Sequence, residues 1–131
     1  MGLAFSSDNK LFVVDSDNFR VQVFQQGGIF MFSFGGEGDA PGQFQYPVTI
    51  AVDVDNGAVS DLHDGYIIAN SDGDDDKIKV WNSDHQLIVQ FGNKGSQLGE
   101  FYSILGMALD HNRVLYVAEG VNQRLKVVCN V

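Results

Sequence analysis

Three stretches of the chain open on a basic residue and then alternate. They are Arg20-Val21-Gln22-Val23-Phe24, Lys77-Ile78-Lys79-Val80-Trp81 and Arg124-Leu125-Lys126-Val127-Val128, spaced first 57 and then 47 residues apart. Phe34-Gly35 returns as Phe91-Gly92, and Gly42-Gln43-Phe44 returns as Gly99-Glu100-Phe101, both 57 residues on. Ala4, Ala51 and Ala108 recur at intervals of 47 and 57. One register satisfies every marker: a unit of 47 residues whose second copy carries ten more. Eight of the ten fall between Ala51 and Asn70 and two between Asn70 and Lys77. A repeat of this period restricts the fold to stacked units, each covering its neighbour's apolar face.

Within a unit the pattern is β. In the first copy, segments 3–6, 10–15, 20–24 and 29–34 read as short strands. Val21 and Val23 fall on one side and Arg20 and Gln22 on the other, which is period two. Turn formers separate the segments at Ser7-Asp8-Asn9, Asp17-Asn18 and Gln26-Gly27-Gly28. A glycine-rich connector at 35–47, repeated at 92–103, is expected to cross the surface between units. Four-stranded units of this length are blades of a β-propeller. The small Ala4, Ala51 and Ala108 suit the crowded strand nearest the axis. The expected fold is all-β, a single region over 1–131 with about three blades of antiparallel strands. Blade one spans about 2–47, blade two about 48–104 with an insertion at 54–64, and blade three about 105–131 without its outer strand. That is a partial propeller, or half of a six-bladed ring completed by a second copy.

Composition narrows the class further. Of 131 residues, 44% are hydrophobic and 19% charged, as in a globular domain. No apolar run approaches the roughly 20 residues of a membrane helix. Met1-Gly2-Leu3-Ala4-Phe5 lacks the basic and apolar regions of a signal peptide. The lone Cys129 excludes an internal disulfide framework. Together these point to a cytoplasmic, membrane-free setting.

The repeated residues resemble the NHL repeat family. The likeness rests on Ala51-Val52-Asp53, Tyr66-Ile67-Ile68-Ala69-Asn70, Lys77-Ile78-Lys79-Val80-Trp81, Phe91-Gly92 and the connector from Gly38 through Pro47. The first copy, from Val13 to Phe24, fits best. The third departs where Glu119-Gly120-Val121-Asn122 replaces an aspartate-led turn. The resemblance implies a non-catalytic protein-interaction module of the kind found in tripartite-motif proteins, including the substrate-recognition part of ubiquitin ligases. It places the turns between second and third strands on the partner-binding face. Those turns carry Asp15, Asp17, Asp72, Asp74, Asp75, Asp76 and Glu119. With Phe19, Tyr46 and Tyr102 as aromatic anchors, they are the expected contact residues, and the partner is expected to be a basic protein or peptide.

Other chemistries are weaker. The net charge is −9, and 14 of the 17 acids are aspartate. Such a face repels phosphate, so an RNA-binding NHL domain is a secondary reading. Asp53, Asp55 and Asp61 have spacing that resembles the calcium loops of integrin-type propellers, but Gly57 occupies one ligand place. The run Asp72-Gly73-Asp74-Asp75-Asp76 lacks the closing glutamate of an EF-hand. A propeller lyase or hydrolase with an axial divalent metal would need His63, His85 and His111 to converge, yet they lie in dissimilar loops. No resident cofactor is expected. Cys129 has no histidine nearby in sequence and reads as a small apolar residue. Gly35-Gly36-Glu37-Gly38 precedes no helix and reads as connector, not as a phosphate loop.

Overall fold

A computed structural model describes residues 2–6, 9–40, 42–52, 76–82, 86–110, 112 and 114–128, and 66–70 through their backbone. Its strands are β1 (Leu3–Phe5), β2 (Leu11–Asp15), β3 (Arg20–Gln25), β4 (Ile29–Gly35), β5 (Pro47–Val52), β6 (Tyr66–Asn70), β7 (Ile78–Trp81), β8 (Leu87–Phe91), β9 (Ile104–Leu109), β10 (Leu115–Glu119) and β11 (Arg124–Val128). They form three antiparallel sheets, ordered β1-β2-β3-β4, β5-β6-β7-β8 and β9-β10-β11. The four, four and three strands expected from the repeat are all present.

Each sheet is a blade with two faces, and the register decides which residues share one. Pairing Phe12 with Val23 and Val14 with Val21 puts four apolar side chains on the front of blade one. All four are fully buried, packed against Ile50, Val52 and Trp81 from the back of blade two. The next joint repeats this: Ala51, Ile78 and Val80 from the front of blade two meet Ile104, Leu115 and Val117 of blade three. Each large side chain buried in this way contributes about 1.5–3 kcal/mol.

Alternation therefore does not separate core from solvent in the middle blade. Ile78, Lys79, Val80 and Trp81 are all buried, because neighbours cover both sides. The terminal blades each keep an open face. Leu3 and Phe5 stand 64% and 63% exposed on blade one, and Leu125 and Val127 stand 63% and 52% exposed on blade three. Ala51 is buried at its joint, whereas Ala4 is half-buried and Ala108 exposed.

The connectors do more than cross the surface. Each sinks one aromatic into a joint, Phe44 at 0% exposure and Phe101 at 1%. This explains the Phe-Gly marker. Gly35 and Gly92 take positive φ of 113° and 92°. A Cβ on Gly35 would stand 2.6 Å from the Phe44 ring, and one on Gly92 would stand 2.7 Å from the Phe101 ring. Trp81 completes the first joint, 5.1 Å from Phe34 and 5.8 Å from Phe44 between ring centroids.

Candidate functional site

The turn between β2 and β3 is built around one carboxylate. Asp15 accepts hydrogen bonds from Asn18 Nδ2 at 3.0 Å, Arg20 Nε at 2.9 Å and Gln22 Nε2 at 3.0 Å. The Asn18 bond first, and then Arg20, hold its carboxyl below the ordinary aspartate value. Residues 16–18 form a 3-10 turn that ends at Phe19 in the left-handed region, φ 56°. Blade three copies the device with a longer acid. Glu119 accepts from Asn122 Nδ2 at 2.8 Å and Arg124 Nε at 2.6 Å, and Gln123 takes φ 49°. The extra methylene lets Glu119 also accept the Tyr102 N–H of the preceding connector at 2.9 Å. Burial pushes this carboxyl up; the bonds from Arg124, Asn122 and Tyr102 outweigh it and leave it below the ordinary value.

The Phe19 turn and the first connector enclose a groove of about 420 Å³, lined by Phe19, Glu37, Gly38, Asp39 and Gln45. Backbone bonds fix its walls. Gly36 N–H donates to Phe19 O at 2.8 Å, Phe44 N–H to Gly36 O at 2.7 Å, and Gly38 N–H to Phe44 O at 3.0 Å. Glu37 and Asp39 are exposed, and Phe19, which lines the groove with them, is half-buried. Asp17, two residues before Phe19, is exposed as well. The groove thus offers carboxylates beside an apolar surface, which suits a long cationic side chain with an aliphatic stem.

The second connector has the same backbone and other chemistry. Lys94 takes the place of Glu37, Ser96 that of Asp39, Tyr102 that of Gln45 and Asp76 that of Phe19. Lys94 Nζ lies 4.8 Å from the centre of the Tyr102 ring. Asp76 accepts the Ser103 N–H at 3.2 Å. Asn122 Nδ2 donates to Gly95 O and Arg124 Nη1 to Ser96 O, both at 3.0 Å.

The expected contact residues therefore divide. Asp17, Phe19 and Tyr46 lie in the first turn and connector, with Tyr46 38% exposed. Asp15 is half-buried and engaged within its own turn. Asp76 and Glu119 do not belong to an open acidic face: they are 1% and 3% exposed, and both clasp successive N–H groups of the second connector. A buried carboxylate must find donors, and these two find them in the backbone. Tyr102 is half-buried with Lys94 over its ring. Asp72, Asp74 and Asp75, the calcium candidates Asp53, Asp55 and Asp61, the three histidines and Cys129 lie outside the described residues. Glu37, Asp39 and Gln45 escaped the sequence reading. Their signal was available as the only charge reversal between matching connector positions, Glu37 against Lys94.

Several basic residues are engaged inside the fold. Lys79, 1% exposed, donates to Gln43 O, with its Nζ 5.4 Å from the Phe44 ring centre. Lys126 repeats this, donating to Glu100 O with its Nζ 4.7 Å from the Phe101 ring centre. Among the described residues, no three histidine, cysteine or acidic side chains are grouped to hold a metal, and no helix is long and apolar enough to cross a membrane.

Residues 2–24, which hold the first turn and its carboxylate, match the family model of the NHL repeat. Residues 2–24 are an NHL repeat. It is also 33% identical over 91 residues, 70% of its length, to Protein brain tumor of Drosophila melanogaster. The matched region spans 8% of that relative's length. NHL repeats of this kind form binding modules for protein or RNA.

Proposed function

We propose that this NHL module is a non-catalytic binding domain that takes a basic peptide segment of a protein partner in the groove of its first connector. The observation that carries the reading is the groove itself, with Glu37 and Asp39 exposed beside Phe19 and with Asp17 close in the chain. A lysine or arginine stem would lie on the ring while its cation meets the carboxylates, and rim charge of this kind governs association rate and selectivity. RNA is the less favoured ligand. Arg20, Lys79, Arg124 and Lys126 are engaged by internal partners, and the net charge of −9 opposes phosphate. Substrate recognition within a ubiquitin ligase is the specific form of this reading that the family resemblance suggests. A cytoplasmic setting goes with it, since a single cysteine suits a reducing compartment.

Fluorescence anisotropy with a labelled lysine- and arginine-rich peptide tests the proposal. The wild-type chain should bind it, and Glu37→Gln with Asp39→Asn should weaken binding at least about tenfold, the factor that a lost 1.4 kcal/mol produces. Equal affinity for both proteins would refute the groove. Preferential binding of a single-stranded RNA of the same length would favour the other ligand class.

A further inference from the structure

A phenylalanine at position 19 does not suit the backbone that carries it. Its φ of 56° lies in the left-handed region, where asparagine, aspartate and glycine are favoured and a bulky aromatic is uncommon. The matching residues of the other blades are polar, Asp76 and Gln123, and Gln123 takes φ 49°. Asp76 uses its carboxylate to accept the Ser103 N–H at 3.2 Å. A phenyl ring can accept no such bond. Phe19 also lies outside both joint cores and is half-buried beside the groove. The position thus takes on backbone strain and forgoes an acceptor without filling a core. Strain of this kind, kept on a groove wall, points to a ligand.

The chemistry around the ring says what it would meet. The second connector holds both a ring and a cation, with Lys94 Nζ 4.8 Å from the centre of the Tyr102 ring. The first has a ring and acids, but residues 35–47 contain no lysine or arginine. Arg20 is paired with Asp15 at 2.9 Å, and Lys10 stands at the other end of β2. The fold also sorts its own cations by acceptor. Lys79 and Lys126 lie near phenylalanine rings and end on the carbonyls of Gln43 and Glu100. Arg20 and Arg124 go to carboxylates, those of Asp15 and Glu119. The groove supplies the second kind of acceptor, since Glu37 and Asp39 line it with Phe19. Among the described residues, neither of these two acids takes part in an ion pair. A planar guanidinium can stack on the ring and donate in its own plane to carboxylates, and it sheds water more readily than an ammonium.

We infer, resting on the groove reading above, that Phe19 is the specificity-determining residue of the groove and selects an arginine of the partner over a lysine. The ring takes one face of the guanidinium while Glu37 and Asp39 accept its N–H groups. A lysine ammonium meets the same acids but keeps most of its water.

Titration calorimetry tests this with two peptides of one sequence and equal charge, one carrying arginine and the other lysine at every basic position. The wild type should bind the arginine peptide about tenfold more tightly. Phe19→Tyr, which keeps a ring, should retain that ratio. Phe19→Asn should reduce it to about twofold or less, while its thermal midpoint stays within about 5 °C of the wild type or rises, because asparagine accepts the left-handed backbone. Equal affinity of the wild type for the two peptides would overturn the inference; the groove reading would survive if Glu37→Gln with Asp39→Asn weakened both. A tenfold ratio persisting in Phe19→Asn would overturn the inference as well. So would a large fall in the midpoint of that variant, which would make the ring a support of the fold. Binding of neither peptide would overturn the groove reading and this inference together.

Discussion

The two connectors share a backbone and differ in what they do with it. In both, glycine admits a buried phenylalanine, a lysine from the next blade caps a carbonyl, and three backbone hydrogen bonds recur at matching positions. The positions outside that frame have diverged. In the second connector they satisfy one another: Lys94 lies over Tyr102, and Asp76 and Glu119 bind successive N–H groups. In the first, Glu37 and Asp39 face outward around a groove. A repeat can therefore fix its joints with a few residues and leave the remainder either to tighten the structure or to meet a partner.

Substitution can break or sharpen this contrast. The largest effect should come from the shared frame. Phe44→Ala and Phe101→Ala should each cost about 3–5 kcal/mol by urea unfolding, the price of a large core cavity. A gap above about 2 kcal/mol between them would show that the two wedges are not equivalent. The carboxylates come next. Glu119→Gln should cost about 3 kcal/mol, because its side chain is fully buried against Arg124. Asp15→Asn should cost about 1 kcal/mol, since its partner Arg20 keeps 42% of its side chain in contact with solvent.

Acid should act through the same two groups. Both carboxyls are held below their ordinary values of 3.8 and 4.5. Each therefore contributes stability that is complete above the ordinary value and is lost as pH falls through the lowered one. Unfolding followed from pH 6 downward should show this loss, and Glu119→Gln should flatten the part due to Glu119. An unchanged slope in that variant would mean another acid dominates. The smallest effect should be at the groove, where Glu37→Gln with Asp39→Asn should alter stability by no more than about 0.5 kcal/mol. A larger loss would make these acids structural, as Asp76 and Glu119 are at the second connector.

Much of the fold was legible because the repeat is periodic. The markers at Arg20, Lys77 and Arg124 gave the register, and strand alternation gave the blades. Two things were hidden. Phe44 and Phe101 stand in polar, glycine-rich sequence, and only the close approach of Gly35 and Gly92 shows that they are core. Asp76 and Glu119 looked like members of an acidic face, because composition cannot tell a solvated carboxylate from one that accepts backbone N–H groups. The groove sits between these cases. Its acids are visible as a difference between aligned connectors, but only the fold places them beside Phe19.

The central claim is that the first connector binds through the residues in which it differs from the second. Transplanting the second connector's residues tests it directly: Glu37→Lys with Asp39→Ser, measured by titration calorimetry against the basic peptide. The account predicts that binding disappears while the thermal midpoint stays within a few degrees of the wild type. Undiminished binding of the basic peptide would contradict it.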